Sequence, residues 1–250
     1  MVYELGKNQH LIAKKAVPSG SPDSTAFSYK EEFYLENYVE KTMNALRHNN
    51  MAAYYVEDEK EATALAFSLI AENASVAVGG SATLAALGII DRLRSGKYHF
   101  LDRYADMDDA ARDAVFKASL SADVLLTSSN AVTENGELYN VDGTCNRIGG
   151  ITYGPKSVIV IAGKNKIVPD LNAAVLRVKT IAAPLNCKRL SRHTYCYEKG
   201  VCASIAAGKS AEMTAGCQSP DRICRSYVVT GPQAVKDRIK VILVNKELGF

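Results

Sequence analysis

The sequence contains no tryptophan, only four histidines and no long block of charge of one sign. Its 30 basic and 27 acidic residues are interspersed along the chain, and this balance argues against nucleic acid as a partner. None of the histidines stands in the spacing of a metal site. His193, which lies nearest the cysteine-rich part of the chain, is either a surface residue or an alternate metal ligand.

Long apolar runs are also missing. No uninterrupted stretch approaches the ~20 residues that span a bilayer, and the first residues, MVYELGKNQHLIAKKAVPSG, lack the apolar core of a secretory signal. We therefore expect a cytoplasmic protein with no membrane partner. The 250 residues, of which 47% are hydrophobic, suffice to bury one substantial core.

The chain divides into a short extension and one domain. Residues 1–30 contain a cluster of proline, glycine and serine near position 20, which is typical of an irregular N-terminal extension. Over residues 31–250, short strands rich in Val, Ile and Leu alternate with helical patterns. This alternation predicts an α/β domain with a mostly parallel central sheet and helices on both faces. Strands are predicted at 52–57, 75–80, 98–104, 122–129, 157–163, 227–230 and 240–245, and helices at 30–49, 59–72, 82–93, 108–121 and 169–182.

A glycine-rich loop follows the predicted strand at 75–80. Gly79, Gly80 and Ser81 lie between this strand and the next helix, where free backbone N–H groups favour an anion, and Ser81 and Thr83 can add hydroxyl donors. The loop is not a P-loop, because the Gly-Lys-Ser/Thr ending is absent. A tight turn with Ser81 as the helix N-cap is the alternative interpretation.

A second polar loop, residues 127–137, follows the strand that is predicted to be central. Ser129 and Asn130 offer hydrogen bonds to a polar ligand, and Glu134 offers a carboxylate that can act as a base or a nucleophile. The alternative is a surface loop in which Asn135-Gly136 forms a hairpin turn.

Two further loops follow later strands. Asp142, Asn146 and Arg147 surround a turn, and Arg147 can bind a carboxylate or phosphate bidentately, although an internal Asp142–Arg147 pair is an equally good account. Residues 163–166 add positive charge after another strand. Because the carboxyl ends of parallel strands meet at one edge of a sheet, the four loops together predict a site for a small anionic metabolite.

Three segments, VGGSATLAALGIIDRL, TSSNAVTENGELYNVDGTCNRI and SPDRIC, occur in an order that resembles the LUD domain of lactate-utilisation protein C and its stand-alone bacterial relatives. The resemblance covers roughly residues 35–250. It implies a fold related to the ribose-phosphate isomerase, glucosamine-phosphate deaminase and CoA-transferase superfamily. It also implies membership of a pathway that oxidises L-lactate with iron–sulfur partner subunits.

The resemblance also implies a reactive residue. Glu134, in the context Glu134-Asn135-Gly136, resembles the acyl-accepting glutamate of some CoA transferases, and it is the predicted catalytic residue. Such enzymes usually need two homologous domains, and this chain has room for one.

The segment 187–224 carries five of the six cysteines. In a reducing compartment such crowding suggests metal ligands or redox thiols before structural disulfides. Relatives carry a cysteine cluster that ends in SPDRIC, and the resemblance implies four metal ligands here: Cys196, Cys202, Cys217 and Cys224. Four thiolates suit zinc or an iron–sulfur cluster, although residues 203–216 look like an insertion. Free, partly buried cysteines are the alternative, and Cys145 and Cys187 are predicted to pack or to line the loop site.

These observations leave three hypotheses for function. The first is an enzyme or enzyme subunit of L-lactate or related organic-acid oxidation that binds a small anionic ligand. The second is a non-catalytic metal-binding or redox-sensing assembly subunit that docks an iron–sulfur partner. The third is a CoA-transferase-like enzyme. A homo-oligomer is compatible with all three, although no motif specifies one.

Overall fold

The computed structural model describes residues 37–209 and 212–250. The predicted N-terminal extension, residues 1–30, lies outside the described residues. Within the described ranges, no helix combines the length and the apolar character that a bilayer span requires.

Strands in the described ranges form two sheets. They are β1 (Ala52–Val56), β2 (Ser75–Val78), β3 (His99–Leu101), β4 (Val124–Thr127), β5 (Ala131–Thr133), β6 (Leu138–Asp142), β7 (Ser157–Gly163), β8 (Ile167–Val168), β9 (Ser226–Thr230) and β10 (Ile239–Val244). The central sheet has the order β1-β10-β7-β4-β2-β3, and every neighbouring pair is parallel. The prediction of an α/β fold with a mostly parallel central sheet is therefore confirmed.

Helices connect these strands. The described part of α1 covers residues 37–48. The others are α2 (Glu59–Ser68), α3 (Ala82–Ala86), α4 (Ile89–Arg94), α5 (Asp109–Ser119), α6 (Asn146–Thr152), α7 (Leu171–Arg177), α8 (Ala183–Arg189), α9 (Tyr195–Lys199) and α10 (Ala203–Ala206). The predicted helix at 82–93 is divided into α3 and α4, because Gly88 adopts a left-handed φ of 62°. The predicted helix at 169–182 continues beyond its expected end, since a π-helical turn, Val178–Ala182, joins α7 to α8.

The central strands are apolar on both faces, as buried parallel strands are. Leu126, Ile159 and Ile161 contribute to a core on the side of α2, α3 and α4. Leu125 and Val160 contribute to a second core, which α1 and α6 cover from the other side. Helices therefore cover both faces of the sheet, as predicted.

The second sheet, of order β8-β5-β6-β9, was predicted only in part. The strand expected at 227–230 is present as β9, which pairs antiparallel with β6. β5 and β6 form a hairpin whose turn contains Asn135 and Gly136. The hairpin turn that the Asn-Gly sequence indicated is therefore present. Gly136 has a φ of 79°, and a Cβ there would lie 2.5 Å from the backbone carbon of Ala45 in α1. The hairpin turn therefore packs directly against α1.

The order of strands creates a switch point in the central sheet. The chain runs from β2 outward to β3 and then returns to β4 on the opposite side of β2. Open α/β sheets bind ligands in the crevice at the carboxyl ends of strands where the order reverses in this way. The edge between β2 and β4 is therefore the place at which a ligand site is expected.

Candidate functional site

A cleft of about 200 Å³ lies at this switch point, next to the loops that follow β2, β4 and β7. We name it the basic cleft, since five basic side chains and one acidic side chain line it: Arg103, Arg147, Lys166, Arg189, Arg192 and Asp142. A cavity of about 150 Å³ holds a molecule the size of benzene. The basic cleft therefore has room for a small metabolite.

The structure brings together most of the predicted ligand-binding residues. Those that line the basic cleft are Gly80, Ser81, Ser129, Asn130, Asp142, Asn146 and Arg147. Gly79 and Thr83 lie behind its wall rather than in it. The loops after β2 and β4 converge because these strands are parallel, whereas Asp142, Asn146 and Arg147 follow β6 of the second sheet. Ligand binding by these residues stays a prediction.

Gly79 is needed for close packing behind the cleft. A Cβ at this position would lie 2.6 Å from Thr127 Oγ1 and 2.9 Å from Arg147 Cγ. Ser81 Oγ accepts a hydrogen bond of 3.3 Å from Leu84 N, so the N-cap interpretation of Ser81 is confirmed. The glycine loop therefore makes room for Arg147 and starts α3, which is a short helix.

Arg147 is buried in the first turn of α6, and its N–H groups are already occupied. Nη1 donates to Ser128 O at 3.3 Å and to Asn140 Oδ1, and Nη2 donates to Asn130 Oδ1 at 3.1 Å and to Val141 O at 2.8 Å. Burial lowers the pKa of Arg147 below its ordinary value. Arg147 therefore organises the two loops and adds positive charge to the cleft from behind.

Asp142 is the acidic residue of the cleft. Its Oδ2 lies 3.5 Å from Arg147 Nε, so the internal pair anticipated from the sequence is present. Oδ1 accepts hydrogen bonds from the backbone N–H groups of Thr144 at 3.2 Å and Cys145 at 3.3 Å. Among the described residues, no donor hydrogen-bonds to Oδ2. Oδ2 is buried, so it places negative charge beside Arg147 rather than an open acceptor in the cleft.

Arg103 is a cleft residue that sequence reasoning missed. It follows β3, and its guanidinium carbon lies 4.5 Å from the ring centroid of Phe116 and 5.7 Å from that of Tyr104. Cation–π contacts of this kind position a guanidinium without neutralising its charge. Burial lowers the pKa of Arg103. No local signal marked this residue, because Phe116 approaches it only through the packing of α5.

Lys166 was also left without a role. It is 2% exposed, and its Nζ donates to Thr83 Oγ1 at 2.9 Å and to Ser128 Oγ at 3.0 Å. Burial, reinforced by the nearby charges of Arg177 and Arg147, lowers the pKa of Lys166 to about 7. Its position just after a central strand was the signal that could have identified it.

The cleft retains a surplus of positive charge. Within the described ranges, none of the ion pairs involves Arg103, Lys166 or Arg189. Arg189, at the end of α8, donates from Nε and Nη2 to Asn186 Oδ1, which orients its guanidinium without neutralising it. Arg192 lies at 4.0 Å from Asp221. The guanidinium groups of Arg103 and Arg189 are therefore available to a negatively charged ligand.

Glu134, the predicted catalytic residue, does not appear among the described residues that line the basic cleft. It lies at the β5–β6 turn, where its N–H donates to Val168 O at 2.8 Å. Its Oε2 forms an ion pair of 2.9 Å with Lys41 Nζ of α1. Asn49, directly after α1, donates to the same turn. The structure thus separates Glu134 from the other predicted residues, and its catalytic role stays a prediction.

A second cavity, of about 30 Å³, is lined by five cysteines, and we name it the thiol cavity. These are Cys187, Cys196, Cys202, Cys217 and Cys224. Cys145 instead is exposed, with its Sγ 2.9 Å from Ser226 Oγ. The thiol cavity and the basic cleft share four lining residues: Val178, Ala183, Ile223 and Cys224. The two cavities therefore have a common wall.

The thiols of this cavity are not arranged as a metal site in the described part of the chain, and the four-cysteine ligand set stays a prediction. Within the described ranges, no group of three or more His, Cys, Asp or Glu side chains is arranged to hold an ion. Cys196 Sγ lies 3.7 Å from the sulfur of Cys187, a residue outside the predicted ligand set. This contact lowers the pKa of Cys196, while burial raises the pKa of Cys224 to about 12. A tetrahedral zinc or iron–sulfur site would require the four predicted ligands to move together.

The fold and the cleft define an open α/β protein with a basic site at the switch point of a parallel sheet. The LUD domain model matches residues 39–244, and the chain belongs to this family. Comparison with curated proteins gave no match. Among solved structures, the chain is similar to the crystal structure of a DUF162 family protein from Deinococcus radiodurans. That similarity has 15% sequence identity and a TM-score of 0.47, and it covers 84% of this chain and 98% of the other.

Proposed function

We propose that this LUD-domain protein is an enzyme, or a subunit of one, that binds a small organic-acid anion in the basic cleft. The observation that carries the proposal is the excess of five basic side chains over one acidic side chain, with the guanidinium groups of Arg103 and Arg189 outside any ion pair of the described residues. Arg103 is partly buried, and a partly buried charge is costly unless it is paired. An anionic ligand is therefore the group that would complete the site.

The chemistry of the lining favours a carboxylate that bears a second polar group. Arg103 and Arg189 present guanidinium groups, which bind carboxylates bidentately. The Asn146 side-chain amide can accept a hydrogen bond from a hydroxyl group or donate one to a carbonyl group of the same molecule. L-Lactate and its oxidation product pyruvate have these features. A role in cytoplasmic L-lactate oxidation with iron–sulfur partners is the part of the proposal that depends on family membership alone.

Calorimetric titration with L-lactate, pyruvate and inorganic phosphate tests the proposal. We expect saturable binding of at least one anion and a loss of about tenfold in affinity for Arg189→Met, which corresponds to roughly 1.4 kcal/mol. Lys188→Met is the matched control, because Lys188 is the neighbouring, exposed residue of α8 and lies outside the cleft lining. Absence of saturable binding, or an equal loss in the control variant, would contradict the proposal.

A second candidate function is a redox-sensing or metal-binding assembly subunit. It is favoured by the five cysteines around one cavity and by the wall that this cavity shares with the basic cleft. Elemental analysis of protein purified without oxygen tests it, since stoichiometric zinc or iron would support a docking role. The CoA-transferase alternative requires a glutamyl thioester at Glu134, and the ion pair of that residue with Lys41 gives it no support.

A further inference from the structure

The hydrogen bonds around Lys166 define the orientation of its amine. Thr83 Oγ1 donates its own proton to Leu248 O at 3.1 Å, and Ser128 Oγ donates to Ser129 O at 3.4 Å. Each hydroxyl has one proton, so both oxygens can only accept from Lys166 Nζ. Two N–H bonds of the amine are therefore directed at these hydroxyls. The remaining tetrahedral position carries either a third proton or the lone pair.

The surroundings of Lys166 favour the lone pair in that position. The charged groups that act on the amine are the cations of Arg177 and Arg147, which lower its pKa together with burial. Within the described ranges, Lys166 forms no ion pair with a carboxylate. A buried ammonium without a counterion is costly, whereas a neutral amine satisfies the same two hydroxyls.

We propose that Lys166 is the nucleophile of the basic cleft and forms an imine with the carbonyl group of a small 2-oxo acid. The inference rests on the proposed function, because the cations of the cleft must first hold the carboxylate of that acid. It goes further by naming the reacting atom and the class of substrate. A desolvated lysine beside other cations is the kind of residue that reacts in this way.

The reaction needs no oxidant and no further reactant. The lone pair of Lys166 Nζ attacks the carbonyl carbon, the carbon–nitrogen bond forms, and the carbonyl π pair moves to oxygen. That oxygen takes up two protons, equal in number to those that the amine loses, and leaves as water. The product is a carbon–nitrogen double bond, which becomes an iminium ion when it takes up a proton. The iminium then withdraws electrons from the neighbouring carbon atoms.

Reductive trapping with wild-type protein tests the inference. The protein is incubated with pyruvate and sodium borohydride, digested, and analysed by mass spectrometry. Hydride addition converts the imine into a stable amine, so the modified lysine gains the mass of pyruvic acid less one oxygen atom. We expect the gain at Lys166, with a yield that rises several-fold as the pH rises through about 7. Because the adduct is mapped in wild-type protein, the result does not depend on a variant that folds.

Two variants and a second ligand complete the experiment. Lys166→Met should abolish the adduct, whereas Lys164→Met should retain it, since Lys164 lies in the same turn and contacts Asn245 outside the cleft lining. Propanoate, which has no carbonyl group, should compete with pyruvate and form no adduct. Saturable pyruvate binding without an adduct at Lys166 would overturn the inference and leave the proposed function in place. Absence of saturable binding by any anion would overturn both.

Discussion

The basic cleft and the thiol cavity are neighbours with opposite chemistry. The cleft collects cations and neutral polar groups, and its volume is about 200 Å³. The cavity collects thiols among apolar groups, and its volume is about 30 Å³. Val178 of the π-helical turn, Ala183 of α8 and Cys224 line both. One helical segment therefore contributes to both.

The difference shows how each site obtains its residues. Gly80, Ser129 and Lys166 follow parallel strands, and the geometry of the sheet places such positions at one edge. The cysteines lie on short helices and in irregular segments, where no repeating geometry fixes the distances between them. The cleft is therefore assembled by the fold itself, whereas the spacing of the thiols depends on local packing.

The largest expected effect concerns the buried amine of the cleft. The pKa of Lys166 is lowered from 10.5 to about 7, so between these values the unfolded state binds more protons than the folded state. The free energy of unfolding of wild type should therefore increase with pH in this window relative to Lys166→Met, by up to about 5 kcal/mol in all. Urea unfolding at pH 7, 8.5 and 10 measures the difference.

A lysine of the same turn is the control for this experiment. Lys164→Met should follow the pH dependence of wild type, because Lys164 is hydrogen-bonded to the Asn245 side chain rather than buried in the cleft. If the free energies of unfolding of wild type and Lys166→Met changed with pH in the same way, the amine of Lys166 would titrate at its ordinary pKa.

The next effect concerns the packing behind the cleft. Gly79→Ala introduces a Cβ at 2.6 Å from Thr127 Oγ1, and overpacking of this kind costs about 1–3 kcal/mol. Gly80→Ala is the matched control, since the nearest atom to its Cβ, in the Arg103 guanidinium, is 3.8 Å away. Urea unfolding should show a destabilised Gly79→Ala and a Gly80→Ala close to wild type. Equal stabilities would mean that Arg147 can move away without cost.

A smaller effect should separate charge from geometry at Arg103. Arg103→Lys keeps the positive charge but loses the planar fork, and Arg103→Met loses both. We expect the affinity for the anion to be highest in wild type, lower in Arg103→Lys and lowest in Arg103→Met. The affinity of Arg103→Met should be about tenfold lower than that of wild type, which corresponds to roughly 1.4 kcal/mol. The dependence of affinity on salt should weaken only in the Met variant. An unchanged affinity in both variants would exclude Arg103 from the ligand site.

The smallest effect is expected in the thiol cavity. Under mild oxidation, Cys187 and Cys196 should form the first internal disulfide, because their sulfurs are 3.7 Å apart. Peptide mapping without reduction identifies the bond, and Cys145→Ser should leave it unchanged, since Cys145 lies outside the cavity. A first disulfide between any other two cysteines would contradict this expectation. Stoichiometric zinc or iron that disappears in Cys196→Ser would do so as well, and would restore the predicted ligand set.

Prediction from the sequence succeeded where a pattern has a direct geometric meaning. The Val- and Ile-rich strands indicated a parallel sheet, and the polar loops after them indicated one edge at which Asn130 and Asp142 meet. It could not supply the surroundings of a single residue. Glu134 is chemically suited to react, yet its hairpin turn places it against α1. The hairpin of β5 and β6 pairs with β8 and β9, and both of these pairings join residues distant in sequence.

The sequence by itself determined the family, the α/β architecture and the convergence of the loops, because strand periodicity and the direction of parallel strands are properties of the backbone. Only the tertiary structure decided which of those residues point into the cleft and which support it. Arg103 depends on the ring of Phe116, and Lys166 on two hydroxyls from other loops. Charge and reactivity follow from burial and neighbours, which arise only when distant segments pack together.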